Sequence, residues 1–131
     1  MRARRALSTA ALIADGRGRY LVARRPAGGQ GGLKWEFPGG KVEDGETPQA
    51  GLRRELLEEL GSDFRVLDEV FSTEFEHNGT SFLLKVFEVE PAAAPPAALE
   101  HERLAWLAPA GIAELELVDS DRRIVEYLLA K

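Results

Sequence analysis

The stretch GGKVEDGETPQAGLRRELLEELG, residues 39–61, opens and closes on glycine and carries Glu43, Asp44, Glu46, Glu55, Glu58 and Glu59. Its second half reads as a helix from about Pro48 to Leu60. Thr47 is the candidate N-cap, Pro48 takes the first helical position, where its missing N–H costs nothing, and Gly61 is the stop. Leu52, Leu56 and Leu60 recur every four residues and mark a buried stripe. At about 100° per residue, Glu55, Glu58 and Glu59 share the adjoining face. Like charges three and four residues apart oppose a helix by roughly 0.2 to 0.5 kcal/mol per pair. A solvated face offsets such crowding by interleaving opposite charges, but only Arg53 and Arg54 are near, both toward the N-terminal end. Oxygen-only clusters of this kind suit Mg²⁺ or Mn²⁺, hard ions that bind a few carboxylates and leave their other positions to water and substrate phosphates. The acidic edge reads as an incomplete cation cage, with a plain solvated acidic face as the competing reading. Gly39 and Gly40, without side chains, let backbone approach the same ions, and the Gly39 carbonyl is a candidate neutral ligand.

Upstream of this segment two apolar stretches, residues 6–14 and 19–24, flank DGRG and predict a hairpin. A glycine-rich loop follows, then a short segment over residues 34–37, and Pro38, Gly39 and Gly40 end regular structure. Downstream, strands are expected over residues 66–75 and 81–89 with EHNGT as their turn. EPAAAPPAALEHE is a loop and not a domain linker. Residues 104–107 form another short strand, and residues 120–129 a last helix with Ile124, Val125, Leu128 and Leu129 inward.

The 131 residues fit one domain, 1–131, and 44% hydrophobic with 30% charged residues, close to the averages of soluble globular proteins, indicates neither disorder nor a membrane span. The absence of cysteine removes disulfides and thiolate metal sites and is compatible with a reducing cytoplasm, where the protein is expected. The basic start and its apolar run read as a first strand rather than a secretory signal, because the run is short and a turn follows at once. A net charge of −5 argues against a nucleic-acid polymer as partner. A small anionic ligand remains open where local Arg, Lys and metal ions supply positive potential.

Gly40, five residues, Glu46, seven residues, Arg54-Glu55-Leu56, one residue, Glu58-Glu59, one residue and Gly61 together resemble the signature of the Nudix hydrolases. The one departure is Ser62, where that family prefers an aliphatic residue, so the expected difference is in packing after the helix. The similarity extends to LVARRPAGGQGGLKWEFPGGKVEDGET, LEHERLAWLAP and DSDRRIVEYL, which resemble the MutT and CTP pyrophosphohydrolase branch over nearly the whole chain. The resemblance implies an α+β fold, an α/β/α sandwich with a mixed β-sheet and a loop-helix-loop catalytic box. It implies that Glu55, Glu58 and Glu59 bind divalent ions, with the Gly39 carbonyl and Glu100 completing the set. Metal ions there would neutralise phosphate oxygens and lower the pKa of an attacking water, whose proton goes to Glu55 or Glu100. Glu46 and Arg54 match positions that hold the loop against the helix. Arg24, Arg25 and Lys41 are candidate phosphate contacts. His77 and His101 read as surface residues, since no second imidazole is spaced to join either. Trp35 and Phe37 are core or base-pocket residues. Asp121 occupies the position where MutT-like proteins set an amide or acid against the base edge; an acid stabilising the helix dipole is the alternative.

The leading expectation is a Mg²⁺- or Mn²⁺-dependent pyrophosphohydrolase, monomeric or homodimeric, that turns a nucleoside triphosphate, 8-oxo-dGTP or another modified nucleotide, into monophosphate and pyrophosphate. ADP-ribose or nucleotide-sugar cleavage is the second enzyme reading, weakened because no proline occurs between Pro48 and Pro91. A non-catalytic nucleotide-binding module is the third, and the complete set of box glutamates opposes it.

Overall fold

The computed structural model describes residues 6–29 and 31–131; the basic opening, residues 1–5, and Gln30 of the glycine-rich loop lie outside them. Ten elements follow in order: β1 (Ala6–Ile13), β2 (Tyr20–Arg24), β3 (Trp35–Glu36), β4 (Gly39–Lys41), α1 (Pro48–Leu60), β5 (Arg65–His77), β6 (Thr80–Glu90), β7 (Arg103–Leu107), α2 (Pro109–Ala113) and α3 (Asp119–Ala130). They make a four-stranded sheet, β4-β1-β6-β5, and a three-stranded sheet, β3-β2-β7. The first sheet is mixed, since β1 runs parallel to β6 and antiparallel to β4.

The expected hairpin of β1 and β2 does not form. The DGRG turn is present, with Asp15 accepting from the Arg17 and Arg19 amides at 2.7 and 3.1 Å, but past a single bridge between Ala14 and Tyr20 the strands enter different sheets. Both strands are apolar on both faces, so each is taken up as an interior strand, β1 between β4 and β6 and β2 between β3 and β7.

Pro38-Gly39-Gly40 also does more than end regular structure. Gly39 and Gly40 pair with Ala10 and Thr9 of β1. A Cβ on Gly39 would lie 2.1 Å from the Thr9 carbonyl oxygen, so only glycine permits this approach. The β5–β6 hairpin turns at Asn78 and Gly79, both with positive φ, 51° and 76°, as an Asn-Gly turn requires.

The two faces of β1 divide the core. Ala11 and Ile13 pack with Leu52, Leu56, Leu60, Phe64 and Phe87 beneath α1. Ala10 and Leu12 pack with Phe37, Val86, Ile124, Val125 and Leu128 beneath α3. The sheets therefore lie between two helices, as the α/β/α expectation states. Leu129 departs from it: it is 54% exposed, because the buried stripe of α3 follows Asp121, Ile124, Val125 and Leu128, and position 129 lies one residue, about 100°, off it.

The Pro/Ala loop folds back over the end of α1. Ala97 N–H donates to Leu60 O at 2.9 Å and Leu99 N–H to Glu59 O at 3.0 Å, which satisfies carbonyls a helix end leaves open. Ser62 is buried under this loop, its hydroxyl 3.5 Å from Pro95 O. The serine that departs from the family pattern thus has a polar neighbour where an aliphatic side chain would have none. Among the described residues no helix is long and apolar enough to cross a membrane.

Candidate active site

Helix α1 begins and ends as its sequence dictates: Thr47 Oγ1 accepts from Ala50 N–H, and Gly61 closes the helix in the left-handed conformation at φ 73°. Its acidic edge is not a uniform row. The Glu58 side chain is 50% exposed and that of Glu55 19%, whereas Glu59 turns inward and is 4% exposed.

Arg54 stands among the acids. Its Nε donates to Glu46 Oε2 at 2.7 Å and its Nη2 to Glu46 Oε1 at 3.0 Å, a two-pronged pair. Nη1 lies 3.0 Å from Glu55 and 3.3 Å from Glu58, and Nη2 reaches Lys41 O at 3.1 Å. The Arg54 hydrogen bonds hold the Glu46 carboxyl below the usual carboxylate range. The loop of residues 41–46 is tied to the helix by this one guanidinium, which also offsets part of the acidic crowding.

Glu59 has no such partner. Burial first, then the charges of Glu36, Glu55 and Glu100, push its carboxyl up to about 9. Its Oε2 is buried without a hydrogen-bond partner. Beside it, a Cβ on Gly40 would sit 2.5 Å from the Glu55 carboxyl carbon, so the space in front of Glu55 exists because residue 40 is glycine. Among the described residues no three acidic or imidazole side chains are already drawn together as a closed metal-ligand set; Arg54 holds Glu55 and Glu58. The neighbouring acids are nonetheless oxygen donors close enough for their charges to act on Glu59, whose Oε2 is orphaned, and donors of this chemistry fit a hard divalent cation.

Next to the acidic edge opens a groove of about 790 Å³ lined by Arg25, Glu36, Phe37, Gly39, Lys41 and Asp121, with Phe75 and Phe82 as aromatic wall. Asp121, in the first turn of α3, is 5% exposed. Its Oδ2 accepts from Phe37 N–H at 2.7 Å and its Oδ1 from the Ser120 hydroxyl at 3.2 Å. Burial raises its carboxyl to about 7, the Phe37 N–H opposing this and the Glu36 charge adding to it. Phe37 belongs to both core and groove, 3% exposed. Trp35 is packed against the core and does not line the groove.

Of the expected phosphate contacts, Arg25 and Lys41 line the groove, but Arg24 does not. Its Nε reaches Leu33 O at 3.3 Å, and its Nη1 lies 3.8 Å from Glu102. Glu100 is exposed and close enough to Glu59 for its charge to be felt there. His77 is exposed at the groove rim, as expected. His101 is not a surface residue: its side chain is 5% exposed, with Nε2 2.9 Å from Glu36 Oε2. The carboxylate that draws it inward, Glu36, is the site residue the sequence reading passed over. An acid set between Trp35 and Phe37, one strand before two glycines, was the signal available. A second cleft, of about 540 Å³ and lined by Thr47, Arg53, Asp63 and Phe64, contains none of the converging acids.

Fold and site together define an α/β/α sandwich whose acidic helix edge opens onto a polar groove. The NUDIX domain model matches residues 4–128, and the chain belongs to the Nudix family, in its MutT-like branch. It is 36% identical over 125 residues to the CTP pyrophosphohydrolase of Escherichia coli (strain K12), covering 95% of this chain and 92% of that protein. It is 39% identical over 105 residues to the putative 8-oxo-dGTP diphosphatase 2 of Mycobacterium tuberculosis (strain ATCC 25618 / H37Rv), covering 78% and 73%. The solution structure of the E. coli ORF135 protein superimposes with a TM-score of 0.88 at 34% identity, over 98% of this chain and 91% of that one.

Proposed function

We propose that this chain is a divalent-cation-dependent pyrophosphohydrolase that converts a nucleoside triphosphate of the cytoplasmic pool into its monophosphate and pyrophosphate. The observation that carries the reading is Glu59: a buried carboxyl beside further acids, with one oxygen that has no hydrogen-bond partner among the described residues. Glu55, Glu58, Glu59, Glu100 and the Gly39 carbonyl are the groups that would hold Mg²⁺ or Mn²⁺. Bound there, the ion supplies positive charge to phosphate oxygens and a water of lowered pKa.

The chain's own residues do the rest. Arg54 and Glu46 fix the loop that carries Lys41 against α1. Lys41 and Arg25 present charge to the phosphates along the groove. Glu55 or Glu100 takes the proton of the attacking water; the water oxygen bonds to phosphorus, the anhydride P–O bond breaks, and pyrophosphate leaves. Asp121 offers acceptors in the groove that Phe37, Phe75 and Phe82 also line. Each Asp121 oxygen keeps a lone pair beyond the bond it already accepts. A base presenting an exocyclic amine or ring N–H, cytosine or an oxidised guanine, is complementary to this edge, and the named activities of the two relatives agree with it.

The test is Glu58→Gln, chosen because Glu58 is half exposed and the amide keeps its shape. Pyrophosphate release with Mg²⁺ is expected to vanish while circular dichroism and melting temperature stay put. Unchanged release would sink the reading. A panel of ordinary and modified triphosphates, assayed alike, ranks the bases.

A further inference from the structure

His101 is held from both sides by backbone. Two residues before it, Leu99 N–H donates to the Glu59 carbonyl at 3.0 Å; one residue after it, Glu102 N–H donates to the Arg24 carbonyl at 2.9 Å. The imidazole is thereby delivered between two acids that serve different parts of the site. Its Nε2 is hydrogen-bonded with Glu36 Oε2 at 2.9 Å, and the same nitrogen stands 3.7 Å from Glu59 Oε1, beyond hydrogen-bond reach. Glu36 is fixed from the opposite side, where Arg25 Nε donates to its Oε1 at 3.0 Å. Arg25, Glu36, His101 and Glu59 therefore form a continuous line from the groove to the helix edge.

We infer that His101 is a positioning residue that keeps the groove carboxylate and the cation-facing carboxylate apart and aims Glu59. Glu36, half-buried, acts by its charge on the buried Glu59, and loss of the imidazole that stands beside both carboxyls leaves each of them free to rotate. With the imidazole in place, Glu36 is committed to two partners, and Glu59 turns Oε1 toward the ring and leaves Oε2 without a hydrogen-bond partner among the described residues. Groups that hold a ligating carboxylate from behind typically change metal affinity by about 10- to 100-fold when removed. The inference rests on the cation-dependent reading above.

The test is Mn²⁺ titration of the nucleotide-free protein by calorimetry, with three variants. His101→Asn, too short to reach Glu36, and His101→Phe, which fills the space without a donor, are expected to weaken Mn²⁺ binding by about tenfold. His101→Gln, whose amide N–H extends about as far as Nε2, is expected to stay within about twofold of the parent. Turnover in the first two should recover as Mn²⁺ is raised. Equal Mn²⁺ affinity in the parent, Asn and Phe proteins, with only melting temperature lowered, overturns the inference and makes His101 a packing residue. Absence of Mn²⁺ uptake by the parent protein is a different result, and it overturns the cation-dependent reading itself. Two variants without the donor are used so that a folding failure in one leaves the other to decide.

Discussion

Glu59 on α1 and Asp121 on α3 are buried to almost the same degree, 4% and 5% exposed, yet they are treated oppositely by their surroundings. Asp121 is met by a backbone N–H and a hydroxyl. Glu59 is met by further acids, and one of its oxygens has no partner. A buried acid that the fold itself satisfies can present its remaining lone pairs to a neutral hydrogen-bonding partner. One that the fold leaves beside like charge stays protonated, and once charged it is relieved by a cation. On the proposed function, the groove side of the molecule serves recognition and the helix edge charge neutralisation.

Removing each charge with its amide isostere gives the widest separation. Glu59→Gln is expected to lower kcat at least about a hundredfold, the scale on which the loss of one preorganised contact to a reacting centre is felt. Asp121→Asn keeps an acceptor for Phe37 N–H and is expected to leave kcat near the parent value. Pyrophosphate release at saturating nucleotide measures both. A comparable loss in the two variants would erase the distinction between the helix edge and the groove.

The pH dependence of stability sharpens the same contrast. Both carboxyls are raised in the folded state, Glu59 from 4.5 to about 9 and Asp121 from 3.8 to about 7. A raised acid favours folding while it is protonated. Its contribution is full below the unfolded value and is lost as pH climbs through the folded one. The metal-free protein should therefore melt at progressively lower temperature between about pH 4 and pH 9. Both acids contribute to that slope between about pH 4.5 and pH 7, so Asp121→Asn should about halve it there, while Glu59→Gln should about halve it there and abolish the part from about pH 7 to about pH 9. Mg²⁺ or Mn²⁺ should raise the melting temperature most at the alkaline end, where Glu59 is charged, and should do so in Asp121→Asn but not in Glu59→Gln. Differential scanning calorimetry across this range supplies the check.

The two regions also differ in how much of them is written locally. The α1 edge is a local object: cap, proline, leucine stripe, glutamate spacing and terminal glycine all lie within residues 47–61, and the structure reproduces the helix from Pro48 to Leu60. The groove is assembled from β3, the β5–β6 hairpin and α3, with Phe37 and Asp121 joined across 84 positions. No local pattern encodes that meeting, which is why Glu36 went unmarked and His101 was read as surface. The hairpin expected for β1 and β2 failed for a related reason. Turn chemistry at DGRG is local, but the choice of sheet is made by distant strands that pair with both edges of each. Even at the edge, helical spacing placed Glu59 beside Glu55 and Glu58 without showing that it points inward, because its neighbours Glu36 and His101 come from other elements.

If Asp121 serves recognition as proposed, truncating it should act on binding rather than on chemistry. Asp121→Ala removes the acceptors offered to a base edge and strands the Phe37 N–H. KM for the preferred triphosphate is expected to rise by about tenfold, equivalent to about 1.4 kcal/mol, with kcat changed far less. The rise should shrink for a triphosphate whose base lacks the amine. A uniform rise across all bases would move Asp121 from recognition to general support of the groove.

The smallest effect belongs to the neighbour of the most connected residue on the edge. Arg53 and Arg54 are adjacent, but 100° of helix turn sends them to different surroundings. Arg54, its side chain 25% exposed, binds Glu46 with two nitrogens and reaches Glu55, Glu58 and the Lys41 carbonyl. Arg53, 61% exposed, pairs among the described residues with Asp63, itself 56% exposed, at 2.6 Å. Short geometry does not make such a pair matter, because water solvates both charges nearly as well when they are apart, and holding two long side chains still costs entropy. Arg53→Ala is therefore expected to leave kcat, KM and melting temperature unchanged, in the same assays in which Arg54→Ala loosens the loop of residues 41–46 and lowers turnover. If Arg53→Ala slowed turnover as Arg54→Ala does, the charge of the helix as a whole, and not the acidic edge, would govern the reaction.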